Sequence, residues 1–242
     1  MLNFETKYLI RWGIPGWVFI VFSYISILIY ERENAFIKDF TVTQLLGILI
    51  SLGFVGVVIG YLMHQIYFSI KWIYSKQSSK ILKQITDLVT DKTKLGTEGL
   101  EFDHHKAYFM MEFQWQKQLV LTGKDNREYI ADRYRYLLTT VHALGALIVS
   151  LSASTLVTII FLLSHLSKSS WGGDDFSALG ILFLLVFLLI SVFKLFQYYS
   201  ENLIYFQANF FNSFFAGDFK KKDSCRERIE IVSASSSNAP KQ

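Results

Sequence analysis

The chain has 242 residues, 52% of them apolar and 17% aromatic, with 24 Lys and Arg against 20 Asp and Glu. So apolar a composition leaves no room for a soluble catalytic domain of ordinary size. A single cysteine, Cys225, and the absence of an Asn-x-Ser/Thr sequon give no support to a disulfide-built or glycosylated ectodomain.

Four apolar stretches, Gly13 to Tyr30, Val42 to Ile70, Leu137 to Leu163 and Phe176 to Tyr199, are each long enough to cross a bilayer core of about 30 Å. They predict an all-α polytopic membrane protein with four transmembrane helices, spanning 13–30, 45–68, 137–163 and 178–199. Of the 24 basic residues only Arg32, Lys38 and Lys168 fall in the two short connections. The positive-inside rule then places both termini and the segment 71–135 in the cytoplasm of a bacterium, with the inner membrane as the host bilayer. The expected organisation is a transmembrane hairpin (1–70), a cytoplasmic helical segment (71–135), a second hairpin (136–199), a cytoplasmic helical extension (200–232) and a disordered tail (233–242) rich in Ser.

Along the chain, Arg11-Trp12 is an interfacial pair, and Pro15 between Gly13 and Gly16 suits the first turn of a helix, where a missing amide costs little. The apolar run then ends at Tyr30-Glu31-Arg32 without a small-residue cleavage site, as a retained span does. In span two, Gly53, Gly56 and Gly60 are helix-packing residues, and the Gly56-x-x-x-Gly60 pair permits close approach, here expected between subunits.

Lys76, Lys80 and Lys83 recur at i, i+4 and i+7 beside an apolar face of Ile81, Leu82, Ile85, Leu88 and Val89. Such a basic stripe suits anionic headgroups, solvent, or an anionic ligand such as a nucleotide or short oligonucleotide, for which these lysines are the candidate site. Glu101, Asp103, His104 and His105 concentrate metal-ligand types, but adjacent histidines on a helix diverge and no metal is expected. From His105 to Thr122 apolar residues surround the whole helix, which predicts burial against neighbouring helices or other copies.

Asp125 and Glu128 resemble a capping box opening a helix of about 40 residues, about 60 Å long and twice the hydrocarbon thickness. A second such helix, capped by Asp174 or Asp175, runs to a stop at Gly217. These long helices are expected to project into the cytoplasm. Ser150, Ser154 and Thr158, spaced by four in span three, either line a water-accessible path or form a packing seam with hydroxyls bonded to backbone carbonyls. Phe193, Phe196, Tyr199, Leu203, Phe206, Phe210 and Phe214 make one aromatic face, expected to pack on the arm 127–143. The absence of an ionisable residue from mid-span argues against a proton-coupled transporter. No phosphate-binding loop, nucleophile elbow or zincin motif is present, so no catalytic residue and no cofactor is expected.

Arg135 and His142 match the loose Arg-x(4–6)-His pattern of HEPN ribonucleases. In outline, the four spans, the basic cytoplasmic helix and the minimal outer face resemble bacterial anti-phage membrane effectors, among them the Hailong membrane effector and the type VI-B CRISPR membrane accessory. The resemblance implies a homo-oligomer with a pore and a cytoplasmic nucleotide-signal site. The expected function is therefore an ion channel or pore gated from the cytoplasm. The alternatives are a non-conducting scaffold that binds membrane lipids and recruits a cytosolic protein partner, or a membrane-anchored ribonuclease.

Overall fold

A computed structural model describes residues 6–30, 42–74, 77–95, 104–166 and 172–217. Among them the regular structure is entirely helical: α1 (Thr6–Tyr30), α2 (Val42–Phe68), α3 (Gln77–Leu88), α4 (His104–Val120), α5 (Lys124–Leu166) and α6 (Gly173–Phe215), with a π-helical segment (Ser69–Tyr74) after α2 and a 3₁₀ turn (Lys92–Leu95) after α3. Four of these helices, α1, α2, α5 and α6, are long and apolar enough to cross a membrane. At 43 residues each, α5 and α6 are about 65 Å long, so part of each extends beyond a hydrocarbon core of about 30 Å. The tail 233–242, Cys225, Lys76, Glu101 and Asp103 lie outside the described residues, as do the side chains of His104 and His105.

The chain forms two units. The first draws on Met1–Ser75 and Thr139–Ser200, the second on Lys76–Leu138 and Glu201–Gln242, and two of the three boundaries fall inside α5 and α6.

In the first unit, α1 and α2 are antiparallel and meet at glycines. A methyl group on Gly16 would overlap the Gly56 carbonyl oxygen, and one on Gly60 would overlap the Trp12 carbonyl oxygen. Trp17 covers Gly56, its Nε1–H donating to the Gly53 carbonyl at 3.2 Å, and Trp12 meets Tyr61 edge-on at 5.7 Å. The close approach at Gly56 and Gly60 is thus made to α1 of the same chain, which corrects the expectation that it joins two subunits. Gly53 takes no part in the backbone contact, since a methyl there meets nothing within 4 Å.

Pro15 departs from expectation as well. It sits in the interior of α1, buried, rather than in the first turn. Helix-breaking residues are tolerated in apolar spans where neighbours and local adjustment re-satisfy the freed backbone groups.

α5 joins this pair in the same direction as α1: Ser26 meets Thr158, and Tyr30 stacks on Phe161 and His165 further along. Tyr67 of α2 packs over Gly145, His142 and Phe196, which brings α2, α5 and α6 together. At the other end, Ile29, Leu162 and Ala178 form an apolar contact between α1, α5 and α6.

The second unit is built around Trp115, which has no exposed surface. Its ring lies 4.3 Å from Phe210, 5.1 Å from Tyr134, 5.9 Å from Phe211 and 6.2 Å from Phe206, centroid to centroid. The aromatic face of α6 therefore packs on α4, where the sequence suggested the arm of α5 alone; Phe193 of that face is exposed and Phe211, outside it, is buried. Three donors converge on one Glu112 carboxylate oxygen: Tyr134 Oη at 3.0 Å, Tyr108 Oη at 3.1 Å and Gln207 Nε2 at 3.4 Å. Burial and the neighbouring Glu112 charge push the Tyr108 phenol well above its ordinary range, so it remains a donor at any physiological pH. Asn212 of α6 closes the end of α3, donating from Nδ2 to the Leu88 carbonyl at 3.0 Å and accepting the Thr90 N–H at 2.9 Å.

Candidate functional site

The hydroxyl row of α5 lies inside the first unit. Ser150, Ser154 and Thr158, one helical turn apart, are all wholly buried, as is Ser26 on α1. Thr158 Oγ1 lies 2.9 Å from the Ser154 carbonyl, Ser26 Oγ lies 2.9 Å from the Phe22 carbonyl, and the two hydroxyl oxygens are 2.8 Å apart. Each hydroxyl has one hydrogen to donate, so two hydrogens serve three contacts and one contact is always without a proton. Among the described residues the hydroxyls of Ser150 and Ser154 are buried without a hydrogen-bond partner, and so is that of Ser23, one turn before Ser26. Because α1 and α5 run in the same direction, Ser23 falls near the level of Ser154.

An unsatisfied buried hydroxyl costs about 1–3 kcal/mol. Three of them beside a proton-deficient pair make this seam the most polar buried line among the described residues of the unit. Part of it matches the packing alternative, since Thr158 and Thr155 bond to carbonyls of their own helix. Ser150 and Ser154 do not.

At one end of the same unit, the buried Asp175 carboxylate ties three helices together. Its Oδ2 accepts the Gly172 N–H at 2.8 Å, while Oδ1 lies 3.1 Å from His165 Nδ1 and accepts the Tyr30 hydroxyl at 3.4 Å. Sequence reasoning treated Asp175 only as a helix cap. The available signal was that one His, one Tyr and an acidic pair stand at the ends of three spans that the expected topology puts on the same side of the membrane.

In the second unit, Lys80 and Lys83 on α3 are exposed and have no ion-pair partner among the described residues. The opposite face of α3 is covered, with Ile85 and Val89 buried. The two lysines are available to an anion, and their register with Lys76 lies outside the described residues.

The ribonuclease pattern is divided. Arg135 belongs to the second unit, where its exposed guanidinium stands 3.6 Å from Asp132, whereas His142 belongs to the first and is buried among His64, Tyr67 and Phe68.

Comparison with protein-family models, with curated proteins and with solved structures finds no match to the chain.

Proposed function

We propose that the chain is a bacterial inner-membrane effector that passes water or small ions along the α1–α5 seam, in the manner of the anti-phage membrane effectors it resembles in outline. Both termini and the second unit lie in the cytoplasm, on the side of 21 of the 24 basic residues. The observation that carries this reading is the line of buried, unpartnered hydroxyls at Ser150 and Ser154. Polar groups sheathed in an apolar bundle gain most by admitting water, and small hydroxyl side chains leave room for it. Copies of the chain associate through lipid-facing surfaces such as Phe183, Phe187 and Ile190 of α6, since the glycine seam is already occupied within the subunit.

An anionic signal, a nucleotide or short oligonucleotide, binds at Lys80 and Lys83. α5 and α6 continue unbroken from the second unit into the first, which gives occupancy a covalent route to the seam. A ligand moves a two-state balance from 1:99 to 99:1 only by favouring one state by about 5.5 kcal/mol, a figure that several phosphate contacts summed over subunits can supply. Lys80→Glu with Lys83→Glu is expected to leave assembly intact and to alter gating; unchanged signal dependence would remove the ligand from the account.

In cells the direct test is membrane potential, followed with a voltage-sensitive dye in bacteria expressing wild type or Ser154→Trp at equal levels. Wild type is expected to depolarise the membrane and Ser154→Trp to leave it polarised. An unchanged potential in both strains would favour a non-conducting scaffold, and equal depolarisation by both would remove the path beside Ser154.

A further inference from the structure

The two sides of α4 differ in a way that its sequence concealed. Ala107, Met111, Trp115 and Leu119 are buried in the second unit, whereas Phe109, Phe113, Val120 and Leu121, on the opposite side, are 66%, 60%, 67% and 62% exposed. Among the described residues of the chain, one side of this helix is therefore left without the cover that the sequence predicts from neighbouring helices or other copies. Gln116 and Lys117 complete the exposed side, and both are exposed.

Charge decides what covers such a face. The only acid on α4, Glu112, has turned inward to Tyr108, Tyr134 and Gln207, which leaves lysine as the only charged residue type on the helix exterior. A second copy pairing α4 on α4 would bring Lys117 toward its counterpart with no exposed acid among the described residues of α4 to offset it. The 25 residues after Gly217 hold six Lys and Arg against four Asp and Glu, so the chain's own tail carries the same sign.

Aromatic side chains bordered by lysine are what a helix lying in the plane of a bilayer interface requires: the rings enter the headgroup and acyl boundary while the ammonium groups meet lipid phosphates. This protein also has four helices long and apolar enough to hold it at a bilayer.

We infer that the Phe109–Phe113–Val120 face of α4 docks on the surface of an anionic bilayer, with Lys117 at its edge. The inference stands independently of conduction through the hydroxyl seam.

The test uses the full chain with Cys225→Ser and a pyrene attached at Gln116→Cys, reconstituted in phosphatidylcholine vesicles with or without phosphatidylglycerol, some carrying brominated acyl chains. The pyrene is expected to be quenched by brominated lipid, more strongly with phosphatidylglycerol present. Lys117→Glu, an exposed change that leaves the core alone, is expected to reduce that quenching roughly two-fold, and Phe109→Ser with Phe113→Ser to remove most of it. Absence of quenching in both lipid mixtures, as when a soluble protein covers the face, would overturn the inference. So would pyrene excimer emission, the sign of a second copy seated there.

Discussion

Gly60→Leu is expected to prevent the first unit from folding rather than to release stable monomers. A methyl group at this position already overlaps the Trp12 carbonyl oxygen, which is backbone and cannot swing aside. Relief requires α1 to move bodily, which separates Gly16 from Gly56 and lifts Trp17 from the Gly53 carbonyl. Overpacking a tight core costs about 1–3 kcal/mol, sometimes more. Here the obstruction is main chain, so we expect about 3 kcal/mol for Gly60→Ala and no folded protein for Gly60→Leu. Gly53→Ala is the matched control: its added methyl meets nothing within 4 Å, and alanine favours helix over glycine by about 1 kcal/mol. Thermal unfolding in detergent separates the cases. A Gly60→Leu protein that melts like wild type but elutes as a smaller species would return the seam to a subunit interface.

Trp115→Ala is expected to have a comparable effect on the second unit. The ring is entirely buried against Tyr134, Phe206, Phe210 and Phe211, so its removal opens a large cavity at the meeting point of α4, α5 and α6. Deleting a buried aromatic costs about 3–5 kcal/mol, and the loss should concentrate where the contacts were. α4 is also held by Glu112 and by its packing on α3 and the 3₁₀ turn, so the loss falls on one contact among several. Limited proteolysis is expected to cut Trp115→Ala within 104–120 at protease concentrations that leave wild type intact. Trp115→Phe should recover most of the protection, because the Trp115 Nε1–H makes no hydrogen bond that the replacement would lose. Equal protection of Trp115→Ala and wild type would show that α4 is held by something other than this aromatic contact.

The four apolar helices were legible because apolar length is a local property that needs no knowledge of neighbours. Small-residue spacing was equally visible at Gly56 and Gly60, yet spacing names a helix face and not its partner. The partner is Gly16, on the first span, 40 positions before Gly56 in the chain. Pro15 misled because its ordinary place is a helix start, whereas α1 begins at Thr6 and continues through it.

The hydroxyl row shows the same limit from the polar side. Ser150, Ser154 and Thr158 stood out by their interval of four, but whether they face lipid, a symmetry axis or a neighbour depends on Ser26, a residue without distinguishing sequence context. α4 failed in the opposite sense: hydrophobicity all round a helix argues for burial on all sides, and only the contacts reveal that one side is left open. Asp175 and His165 stand at the two ends of one short connection and were legible as neighbours, but their meeting with Tyr30 of α1 is a tertiary contact that connection lengths do not fix.

Conduction along the α1–α5 seam is tested most directly with purified protein in liposomes, by comparing potassium flux through wild type and the double variant Ser150→Ala with Ser154→Ala, each with and without short oligonucleotides. Alanine keeps the packing and removes two buried hydroxyls that lack partners, so the variant is expected to be at least as stable as wild type. The prediction is flux through wild type under at least one of the two conditions and a large loss in the equally stable variant. Equal flux through both proteins, or none through wild type under either condition, would contradict a conducting seam.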